Sequence, residues 1–372
     1  MTDREAVALA VFGYPRRRIL GALIRTCLDR ALPEVDALAE REPGEPLVHW
    51  ACRCAAETHP DAEARALLSA ADRALAHAQR LGHHAVGLDD PGYPALLREI
   101  ADPPPVLWVR GLAEALTAPR MVAVVGARAA TRAGLALATD LAAGLAAAGV
   151  TVVSGLARGV DGAAHHAAVA QGGPSIGVLG SGLDRLYPSE HEPLAQAMTA
   201  HGAIVSEHLA DTPALAYHFP LRNRIISGLA AAVVVVEASE KSGSLITAMA
   251  ALEQGREVMA VPGPVGPGRH RGGHALLRDG ARLVECADDV LAELGWAPRV
   301  AAGVAATRLA PDLAAELGLE ATVEDFSTDE VAAATGRPIA AISARLGALE
   351  VEGRIQRIGG GRFMGSRNRV LT

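Results

Sequence analysis

The sequence predicts an α/β protein centred on a parallel, helix-covered sheet, with a helical region before it and a small winged helix-turn-helix unit after it. Three observations carry this expectation. From residue 121 onward, short β-branched runs alternate with helical stretches, the pattern of strand-helix-strand units. Several runs are almost continuously apolar, Val233-Val234-Val235-Val236 above all, as strands buried on both faces must be. Near the C-terminus, Ser327-Thr328-Asp329-Glu330 forms a capping box and Gly359-Gly360-Gly361 separates two short strand-like runs, so a separate unit of helices and a hairpin is expected there.

In chain order, residues 1 to about 80 read as helical, because Ala/Leu-rich runs such as 62–80 show no strand alternation. The basic run Arg16-Arg17-Arg18 is nearly cancelled by Asp29, Glu34, Asp36 and Glu40 and reads as a solvated face. From Leu81 to Gly111 the clusters Asp90-Pro91-Gly92-Tyr93-Pro94 and Asp102-Pro103-Pro104-Pro105 suppress helix, giving extended connectors into Val106-Leu107-Trp108-Val109. The strands expected next are 121–125, 150–154, 175–179, 203–206, 231–236, 257–261 and 282–285. A Pro/Ala/Gly-rich stretch at 297–306 reads as a linker. Helices are expected at 311–317, from the capping box, and at 339–351, then a hairpin from Arg354 to Met364. The expected division is 1–80, 81–296, the linker 297–306, and 307–372.

At 372 residues the chain exceeds one typical domain. Acids in Met1-Thr2-Asp3-Arg4-Glu5 and the arginines at 16–18 argue against a signal peptide, and no apolar run reaches membrane-spanning length. A cytoplasmic protein with no membrane association is expected. Cys27, Cys52, Cys54 and Cys286 show neither a disulfide framework nor zinc spacing, so reduced thiols and no metal are expected. The net charge of −7 excludes a broadly cationic surface; any nucleic-acid contact must come from a local patch. Between His218 and Arg282 there are seven Arg and one Lys against four Glu and one Asp, so charge is segregated toward that patch.

The segment His218-Phe219-Pro220-Leu221-Arg222-Asn223-Arg224-Ile225-Ile226-Ser227 places two guanidiniums and an amide just before the strand 231–236. That strand runs into Glu237-Ala238-Ser239-Glu240-Lys241-Ser242-Gly243-Ser244, which opens a helix. Strand, Ser-Gly-Ser turn and helix N-terminus form an anion cradle, and arginines beside it can fork onto phosphate oxygens. Lys241 is the only lysine in the chain, and its place beside Ser242, Gly243 and Ser244 favours phosphate contact. Glycines follow the other strands too, at Gly126-Ala127-Arg128, Ser154-Gly155-Leu156-Ala157-Arg158-Gly159-Val160-Asp161, Gly180-Ser181-Gly182 and Pro262-Gly263. They permit close approach of backbone to an anion at the strands' carboxyl ends.

Gly126-Ala127-Arg128 departs from the dinucleotide fingerprint, because Arg128 stands where a second glycine would admit a pyrophosphate, and no acid follows the second strand to hold a ribose. No dinucleotide or other cofactor is therefore expected. Arg128, before a helix capped by Thr131, reads as a guanidinium aimed at phosphate. Asp161 reads as a helix cap and His165 as a packing residue. Phe219 reads as a core anchor that could otherwise stack one base. No serine elbow, Walker A loop or HExxH pair is present, which favours binding over turnover. With eleven aromatic residues, base stacking is limited and phosphate contact dominates.

These motifs resemble the DNA-processing protein A (DprA/Smf) family. The resemblance rests on Val124-Val125-Gly126-Ala127-Arg128, on Ser154 to Asp161 with His165, on Val178-Leu179-Gly180-Ser181-Gly182-Leu183 and on Tyr187-Pro188. It continues through Ser206-Glu207, Phe219 to Ser227, Glu237-Ala238, Ser242 to Ala248 and Val261-Pro262-Gly263. It implies an extended Rossmann-like core preceded by a helical, SAM-like module and followed by a winged helix. It also implies a homodimer, formed through that core, that binds and protects single-stranded DNA and helps load the RecA recombinase during uptake or recombination, without enzymatic turnover. The DNA-binding residues expected are Gly126, Arg128, Arg158, Arg222, Asn223, Arg224, Lys241, Ser242, Gly243 and Ser244.

Two departures stand out. Where the family loop is serine-rich, this chain has Pro264-Val265-Gly266-Pro267-Gly268-Arg269-His270-Arg271-Gly272-Gly273-His274, and its third C-terminal helix carries few cations beyond Arg337 and Arg345. Two other classes remain open. A Rossmann-like nucleoside-monophosphate hydrolase would use the same anion-binding edge, with Glu237 or Glu253 as its carboxylate. A duplex-binding regulator would act through the winged helix.

Overall fold

Residues 3–13, 47–55, 59–266, 268–296, 311–320, 325–352, 354–358 and 362–365 are described by the computed structural model. The run Arg16-Arg17-Arg18, Cys27, the expected linker 297–306 and the turn Gly359-Gly360-Gly361 lie outside the described residues. Two units separate along the chain, Met1–Pro298 and Arg299–Thr372.

The first unit begins with helices α1 (Asp3–Gly13), α2 (Leu47–Cys54) and α3 (Pro60–Arg80), then strand β1 (His84–Gly87), helix α4 (Ala95–Arg98) and strand β2 (Val106–Gly111). Strand β3 (Met121–Val125) leads to α5 (Arg132–Ala147), β4 (Thr151–Ser154), α6 (Val160–Ala170), β5 (Ser175–Val178), α7 (Glu192–Met198) and β6 (Ala203–Ser206). The remainder is α8 (His218–Leu229), β7 (Ala232–Val235), α9 (Ser244–Glu253), β8 (Glu257–Ala260), α10 (Arg271–Arg278), β9 (Arg282–Leu283) and α11 (Ala287–Glu293). The expected strands are present, trimmed by a residue or two at some ends. The edge strand β1 falls where the sequence suggested only a connector.

One nine-stranded sheet runs in the order β1-β2-β6-β5-β4-β3-β7-β8-β9. Strands β3 to β9 are mutually parallel, while β2 pairs antiparallel with both β1 and β6. The registers Val122↔Ala232 to Val125↔Val235 place β3 beside β7 at the centre, where their valines and alanines are wholly buried. One face packs against α8, α9 and α10, with Val125, Val235, Ile225, Ile226 and Ala248 in a common cluster. The other face packs against α5, α6 and α11, with Val124, Val152, Leu141, Ala164 and Val290. The N-terminal helices share a third cluster with the sheet, joining Leu9, Trp50 and Leu67 to Trp108, Leu156 and Leu179. They are thus built onto the sheet through apolar contact, with His77 Nε2 2.8 Å from Asp184 Oδ2 as a polar link.

The second unit holds α12 (Pro311–Leu317), β10 (Asp325–Ser327), α13 (Thr328–Thr335), α14 (Ile339–Val351), β11 (Ile355–Ile358) and β12 (Arg362–Gly365). Ser327 caps α13 as its spacing predicts: Ser327 Oγ accepts from the Glu330 amide and Glu330 accepts from the Ser327 amide. A short strand that the sequence reading missed, β10, pairs with β12 and completes a three-stranded sheet. Phe326, Val331, Ile342, Leu346 and Phe363 form its core. Three of its described arginines are engaged within the unit: Arg345 with Glu316 at 2.5 Å, Arg354 with Asp312, and Arg362 with Asp325 at 3.0 Å. Arg337 is exposed.

Candidate functional site

From β3 the chain runs outward through β4, β5 and β6 to one side of the sheet, then returns to lay β7, β8 and β9 on the other. The loops after β3 and β7 therefore diverge and leave a crevice at the strands' carboxyl ends, where open α/β sheets collect ligands. That crevice is a cavity of about 730 Å³. Its walls include Gly126 and Arg128 after β3, Asp161 in α6, Phe219, Arg222 and Asn223 in α8, and Ser242, Gly243, Ser244 and Thr247 at the start of α9. Four elements distant in sequence thus bring most of the expected residues around one volume.

Gly126 is needed for close packing: a Cβ there would lie 2.6 Å from Val160 Cγ2, preventing α6 from seating against the β3 loop. Arg128 follows on an exposed turn. Thr131 ends this loop as the N-cap of α5, its Oγ1 accepting from the Gly134 amide at 3.0 Å. The guanidinium of Arg128 lies 5.3 Å from the ring centroid of Phe219, and Phe219 stands 5.7 Å from Tyr187. Among the described residues no carboxylate pairs with Arg128. Phe219 is therefore a wall of the cavity, where the sequence suggested a core anchor.

The reading of Arg222 and Arg224 as open guanidiniums needs correction. Both lie on α8, and that helix turns them away from solvent. Arg222 is buried; its Nη1 donates to the carbonyl of Gly155 at 2.7 Å and to that of Val178. It ties the ends of β4 and β5 beneath the cavity, so closely that a Cβ on Gly155 would sit 2.4 Å from Nη1. Burial pushes this guanidinium down to about 10, with Asp161 opposing and the charge of Arg128 adding to the fall. Arg224 forks onto Glu207 at 2.8 and 3.1 Å and onto Asp102 at 2.8 Å. Burial disfavours its charge, but Glu207 and Asp102 outweigh that and hold its pKa above the ordinary value. Arg224 thereby anchors the proline-rich connector to α8 and does not line the cavity.

Asn223 does line the cavity, and its Nδ2 donates to the carbonyl of Gly243 at 3.3 Å, fastening the Ser-Gly-Ser turn to α8. Within that turn the amides of Ser242, Leu245 and Ile246 bond internally at 3.0–3.1 Å. Ser242 Oγ and Ser244 Oγ lie 2.7 Å apart, and the Ser244 amide makes only a long 3.4 Å bond to Ser242 Oγ. The cradle's polar edge is therefore two hydroxyls and the amides of Gly243 and Ser244, fewer free amides than the sequence suggested. Lys241 is exposed beside the turn and outside the cavity wall. Arg158 lines a small adjoining recess with Arg128, Tyr187 and Phe219, and its Nε bonds Glu190 at 2.5 Å on an exposed surface.

Asp161 is not the cap of α6; Gly159 occupies that position. The Asp161 Oδ2 instead accepts from the Gly155 amide at 3.1 Å, and burial raises its pKa while Arg222 opposes the rise. His165 packs as expected: it is buried, its Nδ1 bonds Ser175 Oγ at 2.7 Å, and burial lowers its pKa to about 3, so it stays neutral. Of the two carboxylates considered for hydrolysis, Glu237 is buried behind Thr131, whose amide and hydroxyl it accepts at 3.1 and 2.7 Å. Glu253 is exposed at the far end of α9.

A switch-point cavity edged by Arg128 and a Ser-Gly-Ser helix start, set in a nine-stranded, mostly parallel sheet, defines a Rossmann-like protein, accompanied by a winged-helix unit. Residues 84–295 match the family described as DNA recombination-mediator protein A, and residues 297–361 match the DprA winged helix domain. The chain belongs to the DNA recombination-mediator protein A family. It is 41% identical over 304 residues to Protein Smf of Escherichia coli, covering 78% of this chain and 79% of that one. The X-ray structure of DprA from Streptococcus pneumoniae superposes with a TM-score of 0.65 at 34% identity, over 79% of this chain and 98% of the other. DprA from Helicobacter pylori, whose structure is described as giving insight into a unique single-stranded DNA binding mode, aligns with a TM-score of 0.52 at 27% identity. That alignment spans 57% of this chain and 95% of the other.

Proposed function

We propose that this protein binds single-stranded DNA in the switch-point cavity, with phosphates held between Arg128 and the Ser242-Gly243-Ser244 turn. Arg158 and Lys241 extend the path on either side, while Arg222 and Asn223 shape the walls and Arg224 braces α8 from outside the cavity. The observation that carries this reading is the position of Arg128: a cation without a carboxylate partner among the described residues, laid over Phe219 at the mouth of the cavity. A phosphate can approach its guanidinium from the open side, while the Phe219 ring beneath holds the cation in place. Membership of the family and the single-stranded DNA binding of the Helicobacter pylori relative support the same ligand.

From this follows the wider role we infer: protection of exposed or incoming DNA and loading of the RecA recombinase, in transformation or recombination, by a cytoplasmic homodimer without turnover. Among the described residues no helix is long and apolar enough to cross a membrane. The direct test is fluorescence anisotropy of a labelled oligonucleotide across a salt series, comparing wild type with Arg128→Ala. We expect the slope of log affinity against log salt to shrink by about 0.7 on losing one phosphate contact. An unchanged slope and affinity would remove Arg128 from the interface. A base-release assay with nucleoside monophosphates should give no product; product formation would favour the hydrolase instead.

A further inference from the structure

Of the features this site leaves unused, the basic loop between β8 and α10 is tied to it most directly. Arg269, on that loop, donates from Nη1 to the carbonyl of Ala129 at 3.0 Å and holds the same nitrogen 3.9 Å from Glu237 Oε1. Ala129 immediately follows Arg128. Glu237 is the buried carboxylate that receives the amide and hydroxyl of Thr131 at the loop's end. The loop's start is fixed as well: the Ala127 amide donates to the Glu237 carbonyl at 2.7 Å, and the Ala127 carbonyl accepts from the Val160 amide at 3.2 Å. Arg269 supplies the tether at the outer turn between these two anchors.

The base from which Arg269 reaches is itself rigid. The Gly272 amide donates to the Ala238 carbonyl at 2.9 Å, and His274 Nε2 bonds the Gly263 carbonyl at 3.0 Å. The buried ring of His270 fills the space beside Gly263, where a Cβ would come within 2.1 Å of its Nδ1. A side chain delivered from a fixed base can hold another loop to the tolerance that a binding group requires. Its guanidinium already faces a buried carboxylate and a carbonyl.

We propose that Arg269 is a positioning residue, which fixes the Arg128 loop against the cavity and does not itself neutralise a DNA phosphate. The proposal rests on the DNA-binding reading above. The experiment pairs two measurements on the full chain: salt-dependent anisotropy with a labelled single-stranded oligonucleotide, and hydrogen exchange of the unliganded protein at the loop's hydrogen-bonded amides, those of Ala127 and Thr131. The variants are Arg269→Ala, Arg128→Ala and both together.

We expect Arg269→Ala to weaken binding about fivefold, the effect of one ordinary hydrogen bond, with the wild-type salt slope retained. We expect little further loss when Arg128 is already absent, because the two act as one unit, and faster exchange at the Ala127 and Thr131 amides. A slope reduced by about 0.7, with the two losses simply multiplying in the double variant, would overturn the proposal by making Arg269 a phosphate contact. Unchanged affinity or unchanged exchange would overturn it too. Failure of the DNA-binding reading shows separately, as wild-type protein that does not bind the oligonucleotide, and the exchange measurement then still decides whether Arg269 orders the loop.

Discussion

Replacing Arg222 by Met separates a structural guanidinium from a DNA contact. The substitution keeps side-chain length but removes every donor, leaving the carbonyls of Gly155 and Val178 buried without their partner. Each stranded polar group costs roughly 1–3 kcal/mol, and Asp161, whose buried carboxylate Arg222 opposes in charge, loses that compensation. Against this stands the relief of a buried cation whose pKa is already pushed down to about 10, since burying a charge is itself unfavourable. The balance is a destabilisation of about 3 kcal/mol, or roughly 5 °C in melting temperature for a unit of this size. Thermal and urea unfolding measure the loss, and an oligonucleotide titration across salt asks whether a phosphate contact went with it. We expect lowered stability and an unchanged salt slope. A variant as stable as wild type, with the slope reduced by about 0.7, would refute the assignment of Arg222 to the floor of the cavity.

Glu207→Gln should destabilise by about 3 kcal/mol, since it strips a nearly buried partner from Arg224; in urea unfolding, a loss below about 0.5 kcal/mol would show that the pair is not structural. His165 should make stability depend on pH. Its folded value near 3 lies below its ordinary 6.5, so its contribution is complete above pH 6.5 and drains as pH falls toward 3, at about 1.4 kcal/mol per unit. The raised pKa of Asp161 acts in the opposite sense, so the comparison that isolates the histidine is wild type against His165→Gln. Between pH 7 and 5 wild type should lose about 2 kcal/mol more than the variant, and parallel losses would contradict the burial of a neutral imidazole. Thr131→Ala should cost about 1 kcal/mol through its lost cap, read in the same unfolding assay.

Much of the fold was legible because buried parallel strands are written as runs of β-branched residues, and the central pair β3 and β7 could be placed from Val122-Ala123-Val124-Val125 and Ala232 to Val235 alone. Strand β1 was not, because His84-Ala85-Val86-Gly87 is short and lies at the sheet edge, where neither continuous apolarity nor alternation is required. The site was legible as a set of loops, since glycines and caps mark strand ends locally. What failed was the facing of individual cations. The spacing of His218, Arg222, Ile225, Ile226 and Leu229 traces one face of a helix, and these residues are all buried; reading 218–229 as a helix would have put Arg222 on the core face. No such periodicity foretells that Arg224 meets Asp102 and Glu207, or that Arg269 reaches Ala129, because those partners are 122, 17 and 140 residues away.

The most direct measurement is a structure of the protein with a short single-stranded oligonucleotide. We predict a phosphate within hydrogen-bond distance of the Arg128 guanidinium and the Ser242–Ser244 turn, with Arg222 still bound to Gly155 and Val178. DNA lying along α14 of the winged helix, with the cavity free of phosphate, would contradict it.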